Sequence, residues 1–341
     1  MLVNEFDYRL PETLIAQTPV EPRDHSRLLV LDRARLTRSD HYFYEVAGFL
    51  NPGDLLIFND TRVIPARLYA RKNTADGARL EIFLLKRLNS TDWECLARPG
   101  KRVQPGVKLL FGQNVVGEAV AVTPGGERVI RFPAGLDFRR WLAQNGETPL
   151  PPYITQKLAD PERYQTVYAK QEGSVAAPTA GLHFTPELMR QLTERGVQTG
   201  FLTLHVGLGT FRPVQTERLE DHLMHSEAFS LAPELAERIA ATKAAGKRVI
   251  AVGTTVVRVL ESQAQGPGVA RPGSGTTDIF IYPGYSFKII DGLITNFHLP
   301  KSTLLMLVAA FAGREFVLDC YNYAVEQGYR FFSFGDAMLI V

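Results

Sequence analysis

Apolar positions along the chain change rhythm at two points. Between Arg67 and Ile130 they fall into six short runs, at 66–70, 78–85, 93–97, 107–111, 115–122 and 128–132. Gly100, Pro105-Gly106, Gly112 and Pro124-Gly-Gly126 separate them. Strand-length runs between turn-forming residues, with no long helical period, predict an antiparallel sheet or small barrel. A short helix over 138–144 and the stiff run Thr148-Pro-Leu-Pro-Pro152 close this module.

Outside the module, strand-like and helix-like patterns alternate. Helices are expected over 186–194, with Leu188 and Leu192 on one face, and over 233–245, with Leu235 and Ile239 four apart. Segment 248–252 reads as a strand entering Gly253-Thr-Thr255 and another helix; 277–282 reads as a further strand. Ser302 can cap a helix over 303–312, and 315–326 continues as a helix. A strand also lies in Asp54-Leu-Leu-Ile-Phe-Asn59, ahead of the module. The expected fold is therefore α/β: one domain made of 1–66 and 150–341, with an antiparallel sheet or small barrel of 67–149 inserted in it.

Composition narrows the classes of function. A chain of 341 residues, 45% hydrophobic, exceeds one ordinary core and is expected to be a soluble, multi-domain enzyme. With 38 basic against 36 acidic residues, its charge of +2 declares no global attraction to nucleic acid, so any basic patch is local. Cys95 and Cys320 make neither a metal spacing nor a disulfide framework, which favours a cytoplasmic location. The opening Met1-Leu-Val-Asn-Glu-Phe-Asp-Tyr8 lacks a signal-peptide core, and the apolar run 304–311 is short for a membrane span.

Three segments join a histidine to small, hydroxylic or glycine-rich neighbours: 173–185 with His183, 202–211 with His205, and 295–303 with His298. Histidine exchanges protons near neutrality without a large pKa shift, so these three are the candidate acid and base groups, converging from distant parts of the chain. Thr179, Gly181 and Asn296 belong to the same segments, and Gly207 and Gly209 can bring backbone amides to a bound group. Thr254, after Gly253, opens a helix whose N-terminus can receive an anion, with Arg258 one turn on. His222 and His225 share a helical face but lack a third ligand, so no metal is expected. Neither a dinucleotide fingerprint nor a Walker motif is present, which removes support from NAD and ATP chemistry. In the module, Arg98, Lys101 and Arg102 lie at a turn suited to nucleic-acid phosphates.

Several long strings carry more than a texture. The segments 7–17, Asn59-Asp-Thr-Arg-Val-Ile-Pro-Ala-Arg67, 98–102, 149–154, 163–168, 173–185, 202–211, 296–300 and 329–340 together resemble the S-adenosylmethionine:tRNA ribosyltransferase-isomerase family of queuosine biosynthesis. The resemblance spans essentially the whole chain and implies a barrel-like α/β catalytic domain with an inserted antiparallel β-barrel. It implies transfer and isomerisation of the ribosyl moiety of S-adenosylmethionine onto 7-aminomethyl-7-deazaguanine at the tRNA wobble position, giving epoxyqueuosine while adenine and methionine leave. S-adenosylmethionine would then be a consumed substrate rather than a recycled cofactor, and the working form a monomer without metal. A base would remove a proton from the carbon beside the sulfonium, and an acid would assist loss of adenine. The residues do not say which histidine takes which role. An ordinary S-adenosylmethionine methyltransferase and a non-catalytic RNA-binding protein are the competing classes.

Overall fold

The computed structural model describes all residues except 73–76, 78, 157, 208–213 and 215. They form two compact units: Met1–Arg62 with Pro152–Gln171 and Ala177–Val341, and Val63–Pro151 with Glu172–Ala176. The fold class is α/β with an inserted antiparallel barrel. The chain passes between the units after residues 62, 151, 171 and 176, where the sequence suggests two crossings, after 66 and 149.

The first unit is built on a nine-stranded mixed sheet. Its centre is four parallel strands, ordered Gln198–Leu204, Leu55–Asn59, Val249–Val252 and Gly292–Asn296. The last three are buried at every position. Continuous apolar runs are what a parallel sheet covered on both faces requires. Ala337–Ile340 pairs antiparallel to Gly292–Asn296 and parallel to Arg27–Asp32. The edge strand, Thr37–Tyr42, reads Thr-Arg-Ser-Asp-His-Tyr and is largely exposed, so polar side chains guard the open hydrogen-bonding edge. At the other side, Glu227–Leu231 and Gly273–Thr277 extend the sheet antiparallel.

The helices form largely where hydrophobic period and caps place them. Pro186–Glu194 begins at Thr185, whose hydroxyl accepts from Leu188 N, and buries Leu188 and Leu192. Thr303–Ala312 is capped by Ser302, which accepts from Leu305 N at 3.2 Å. Pro233–Ala244 and Arg314–Glu326 differ from expectation by one residue at an end. Segment 277–282 departs more. Its strand ends at Thr277, and the carbonyls of Thr277 and Ile279 face the Arg258 guanidinium. A side chain takes the backbone there, where a neighbouring strand was expected.

In the second unit all six expected strands form and close into a barrel, ordered Arg128–Arg131, Asp92–Arg98, Arg79–Arg87, Arg67–Lys72, Lys108–Leu110 and Val116–Val122. Closure leaves no exposed edge. Helix Phe138–Asn145 packs Phe138 and Trp141 against Phe132, and Trp141 also meets Phe111 edge-on at 5.8 Å.

Candidate active site

The four parallel strands carry polar residues at their carboxyl ends, where open α/β sheets bind ligands. Leu55–Asn59 leads into Asp60 and Thr61, Gln198–Leu204 into His205, Val249–Val252 into Gly253-Thr254-Thr255, and Gly292–Asn296 into His298. Parallel pairing thus brings to one edge segments that are far apart in sequence.

His183 ends the short helix Thr179–His183 and is 4% exposed. Ser26 Oγ lies 2.7 Å from its Nδ1, and Asn296 Nδ2 donates to its Nε2 at 3.0 Å. With Nε2 accepting, the ring proton sits on Nδ1 and is donated to Ser26. The oxygen of the same Asn296 amide accepts from Thr179 at 3.1 Å. Phe43 stacks on the imidazole at 4.9 Å. Burial, with Arg330 and Arg23 nearby, pushes the His183 pKa down to about 3. His183 is therefore neutral at physiological pH, and both nitrogens are bonded. It also lines a cleft with Arg23, Ser26, Arg163, Ser333 and Phe334.

His298 is also buried, and desolvation alone pushes its pKa down to about 3. Its Nε2 meets the Thr295 hydroxyl at 2.8 Å. Tyr8 donates to its carbonyl at 2.5 Å, and its amide donates to Tyr321 at 3.2 Å. Adjacent strand residues point to opposite faces, so Thr295 and Asn296 hold His298 and His183 from different sides of one strand.

His205 differs from both. It is partly exposed, and its Nδ1 lies 2.8 Å from the Thr61 hydroxyl. Its Nε2 has no hydrogen-bond partner among the described residues. Burial lowers its pKa while the Asp60 carboxylate pulls the other way. Asn59 holds the preceding residue at both backbone groups: its amide donates to Leu204 O at 2.9 Å and accepts from Leu204 N at 3.0 Å. Thr203 donates to Asp60 at 2.6 Å. Asn59, Asp60, Thr61 and Ser26 were not singled out from sequence. The first three stand in the distinctive string 59–67, which was the available signal.

The remaining expected ligand-binding positions divide. Thr179 and Asn296 join His183 as described. Gly181 answers a packing demand, since a Cβ there would come 2.0 Å from the Tyr168 hydroxyl oxygen. Thr254 opens helix Thr254–Ser262 behind Gly253, whose φ of +95° suits glycine. Gly209 lies outside the described residues. Two expectations are corrected. The Gly207 amide donates to Glu227 Oε1 at 3.0 Å, and the Arg258 guanidinium is paired with Glu227 Oε2 in the interior. Neither amide nor charge is presented to an anion, because one buried carboxylate satisfies both. His222 lies beside Phe280, and among the described residues no cluster of three His, Cys, Asp or Glu could hold a metal.

In the barrel unit Arg98, Lys101 and Arg102 are exposed, and none of their side chains is paired among the described residues. The turn Gly100–Arg102 is braced from beneath by Arg128, which donates to the carbonyls of Gly100 at 2.6 Å and Val103 at 2.9 Å.

Parallel strand ends that gather a half-exposed histidine and hydrogen-bonded neutral ones, on a sheet interrupted by a closed barrel, define an α/β enzyme with an inserted β-barrel. The family described as "Queuosine biosynthesis protein" matches residues 3–340. A protein of Carboxydothermus hydrogenoformans named S-adenosylmethionine:tRNA ribosyltransferase-isomerase is 58% identical over 342 residues, covering 100% of both chains. Its namesake in Moorella thermoacetica is 56% identical over 345 residues, again covering 100% of both. The crystal structure of S-adenosylmethionine tRNA ribosyltransferase from Thermotoga maritima is 42% identical, covers 99% of this chain and 100% of that one, and aligns with a TM-score of 0.57. The chain belongs to the S-adenosylmethionine:tRNA ribosyltransferase-isomerase family.

Proposed function

We propose that this enzyme transfers and isomerises the ribosyl moiety of S-adenosylmethionine onto 7-aminomethyl-7-deazaguanine at the tRNA wobble position. The products are epoxyqueuosine-tRNA, adenine and methionine, and S-adenosylmethionine is consumed. The full-length match to the family carries this reading. Incubation with S-adenosylmethionine and tRNA bearing the aminomethyl base, followed by mass analysis, tests it. Epoxyqueuosine with free adenine is expected. S-adenosylhomocysteine would instead indicate methyl transfer, and binding without turnover an RNA-binding protein; either result rejects the reading.

The sulfonium acidifies the adjoining C5′–H, so a neutral base with an open nitrogen is needed there. His205 meets both requirements: its lowered pKa keeps it unprotonated near neutrality, and Nε2 is unpaired among the described residues. His183 and His298, with pKa values near 3, are poor proton donors at pH 7. Their proposed task is to present fixed, neutral hydrogen-bonding groups, His183 through the Asn296 amide and Thr179 hydroxyl toward the nucleoside. Thr254 at its helix start is a further proposed substrate contact.

The barrel unit is proposed to hold tRNA through Arg98, Lys101 and Arg102. Its residues, 63–151 with 172–176, contain fourteen Lys or Arg against nine Asp or Glu, so this unit exceeds the positive balance of the whole chain. A polyanion is attracted by such a surface without being read base by base. The catalytic domain is taken as 1–66 with 150–341, and the barrel domain as 67–149. Action as a cytoplasmic monomer is the family expectation, compatible with buried, free Cys95 and Cys320. Among the described residues no helix is long and apolar enough to cross a membrane.

A further inference from the structure

We infer that Glu227 is a positioning residue for the reaction, fixing the backbone that follows His205; the inference rests on the proposed role of His205. Glu227 opens strand Glu227–Leu231 and is 5% exposed, while Arg258, in helix Thr254–Ser262, is 4% exposed. One carboxylate oxygen pairs with the Arg258 guanidinium, and the other accepts from Gly207 N at 3.0 Å. The arginine is itself fixed, with its remaining nitrogens directed at the carbonyls of Ile279 and Thr277 at 3.4 and 3.5 Å.

The segment 204–207 is thereby held at successive residues. Asn59 grips Leu204, His205 N donates to Ala228 O at 2.9 Å, Thr61 meets the His205 ring, and Glu227 takes Gly207 N. The first three ties fix the histidine on its strand side. Glu227 fixes the far side at Gly207, two residues beyond the ring. A buried ion pair is a weak stabiliser relative to an apolar pair of the same size, because desolvation offsets its attraction. A carboxylate that also orders a backbone amide beside a proton-transfer residue has a reason to be there that stability does not supply.

Two double variants separate these roles. Glu227→Gln with Arg258→Gln removes both charges but keeps an amide oxygen able to accept from Gly207. Glu227→Leu with Arg258→Met replaces the pair by apolar groups and removes that acceptor. The Leu/Met variant is expected to keep its Tm, to lose hydrogen-exchange protection at the Gly207 amide, and to lose roughly 10- to 100-fold in kcat, as small misplacements of reacting groups do. Its KM for S-adenosylmethionine should stay near the wild-type value. The Gln/Gln variant should restore both protection and turnover to the wild-type order. A folded Leu/Met variant with undiminished kcat overturns the positioning role, as does one that loses activity without losing protection at Gly207. A Leu/Met variant that does not fold leaves the decision to Gln/Gln, in which retained protection with collapsed turnover also overturns it. His205→Gln is the separate control: if it turns over normally, the reading of His205 fails, whatever the amide at Gly207 does.

Discussion

The strand ends of the α/β unit and the turn at Gly100–Arg102 of the barrel treat polar groups in opposite ways. At the strand ends, Asn59, Asn296, Thr295 and His183 are buried and their hydrogen bonds are made inside the protein. On the turn, Arg98, Lys101 and Arg102 face solvent, and only their backbone is braced. A preorganised environment strengthens each interaction at a reacting centre. Recognition of a long polyanion needs unpaired charge in water, where binding releases counterions. The first region should therefore respond to pH and the second to ionic strength.

The largest expected effect breaks the first half of that contrast. His205→Ala should lower kcat by about 10²- to 10⁴-fold if the ring transfers a proton, with little change in Tm because the side chain is partly exposed. In the wild type, the acid limb of the kcat/KM profile should lie below the ordinary histidine pKa of 6.5, since burial favours the neutral ring. A limb at or above that value removes His205 as the base.

The second test addresses the barrel. Lys101→Ala with Arg102→Ala should weaken tRNA binding at every salt concentration and reduce the slope of log K against log salt by about 2, roughly one per lost phosphate contact. S-adenosylmethionine affinity should be unaffected. An unchanged slope, measured by titration at several salt concentrations, removes the turn from the tRNA surface.

The smallest effect concerns stability. His183 and His298 have folded-state pKa values near 3 against 6.5 for the free side chain. Below pH 6.5 the unfolded chain binds protons that the folded one refuses, so stability is complete above that value and declines toward pH 3. His298→Gln should lower Tm at pH 7 by loss of fit, yet make the decline between pH 6 and 4 shallower. Thermal melts across that range should show it, and an unaltered slope would mean that His298 charges without cost.

Much of the fold was legible because local rules agreed with tertiary demands. The barrel strands are runs between Gly and Pro turns, and Thr185 and Ser302 are caps with their helical faces in phase. Strand 277–282 was misread because Arg258, nineteen residues away from Thr277, takes the carbonyls, and no local pattern announces that. The histidine segments are visible as unusual composition, but the contacts of Asn296 with His183 and Thr179 join two segments that no spacing connects. The roles of Gly207 and Arg258 were hidden in a single carboxylate, Glu227, that sequence spacing does not connect to either. Ser26 carries no local signal and Asn59 only its place in the string 59–67, because topology, not proximity in the chain, selects their partners.

The discontinuity of the α/β unit also orders events during synthesis. Strand Leu55–Asn59 finds its neighbour Val249–Val252 only after a separation of 194 residues, spanned by the buried Asp54 carboxylate and Arg248. Arg27–Asp32 has its parallel neighbour at Ala337–Ile340. The barrel's six strands are consecutive in sequence, so it can close while Leu55–Asn59 and Arg27–Asp32 still lack their parallel neighbours, and closing such long loops is intrinsically slow. A nascent chain with a closed barrel thus holds Arg27–Asp32 on one side only, against Thr37–Tyr42, until residues 337–340 emerge to cover its other edge.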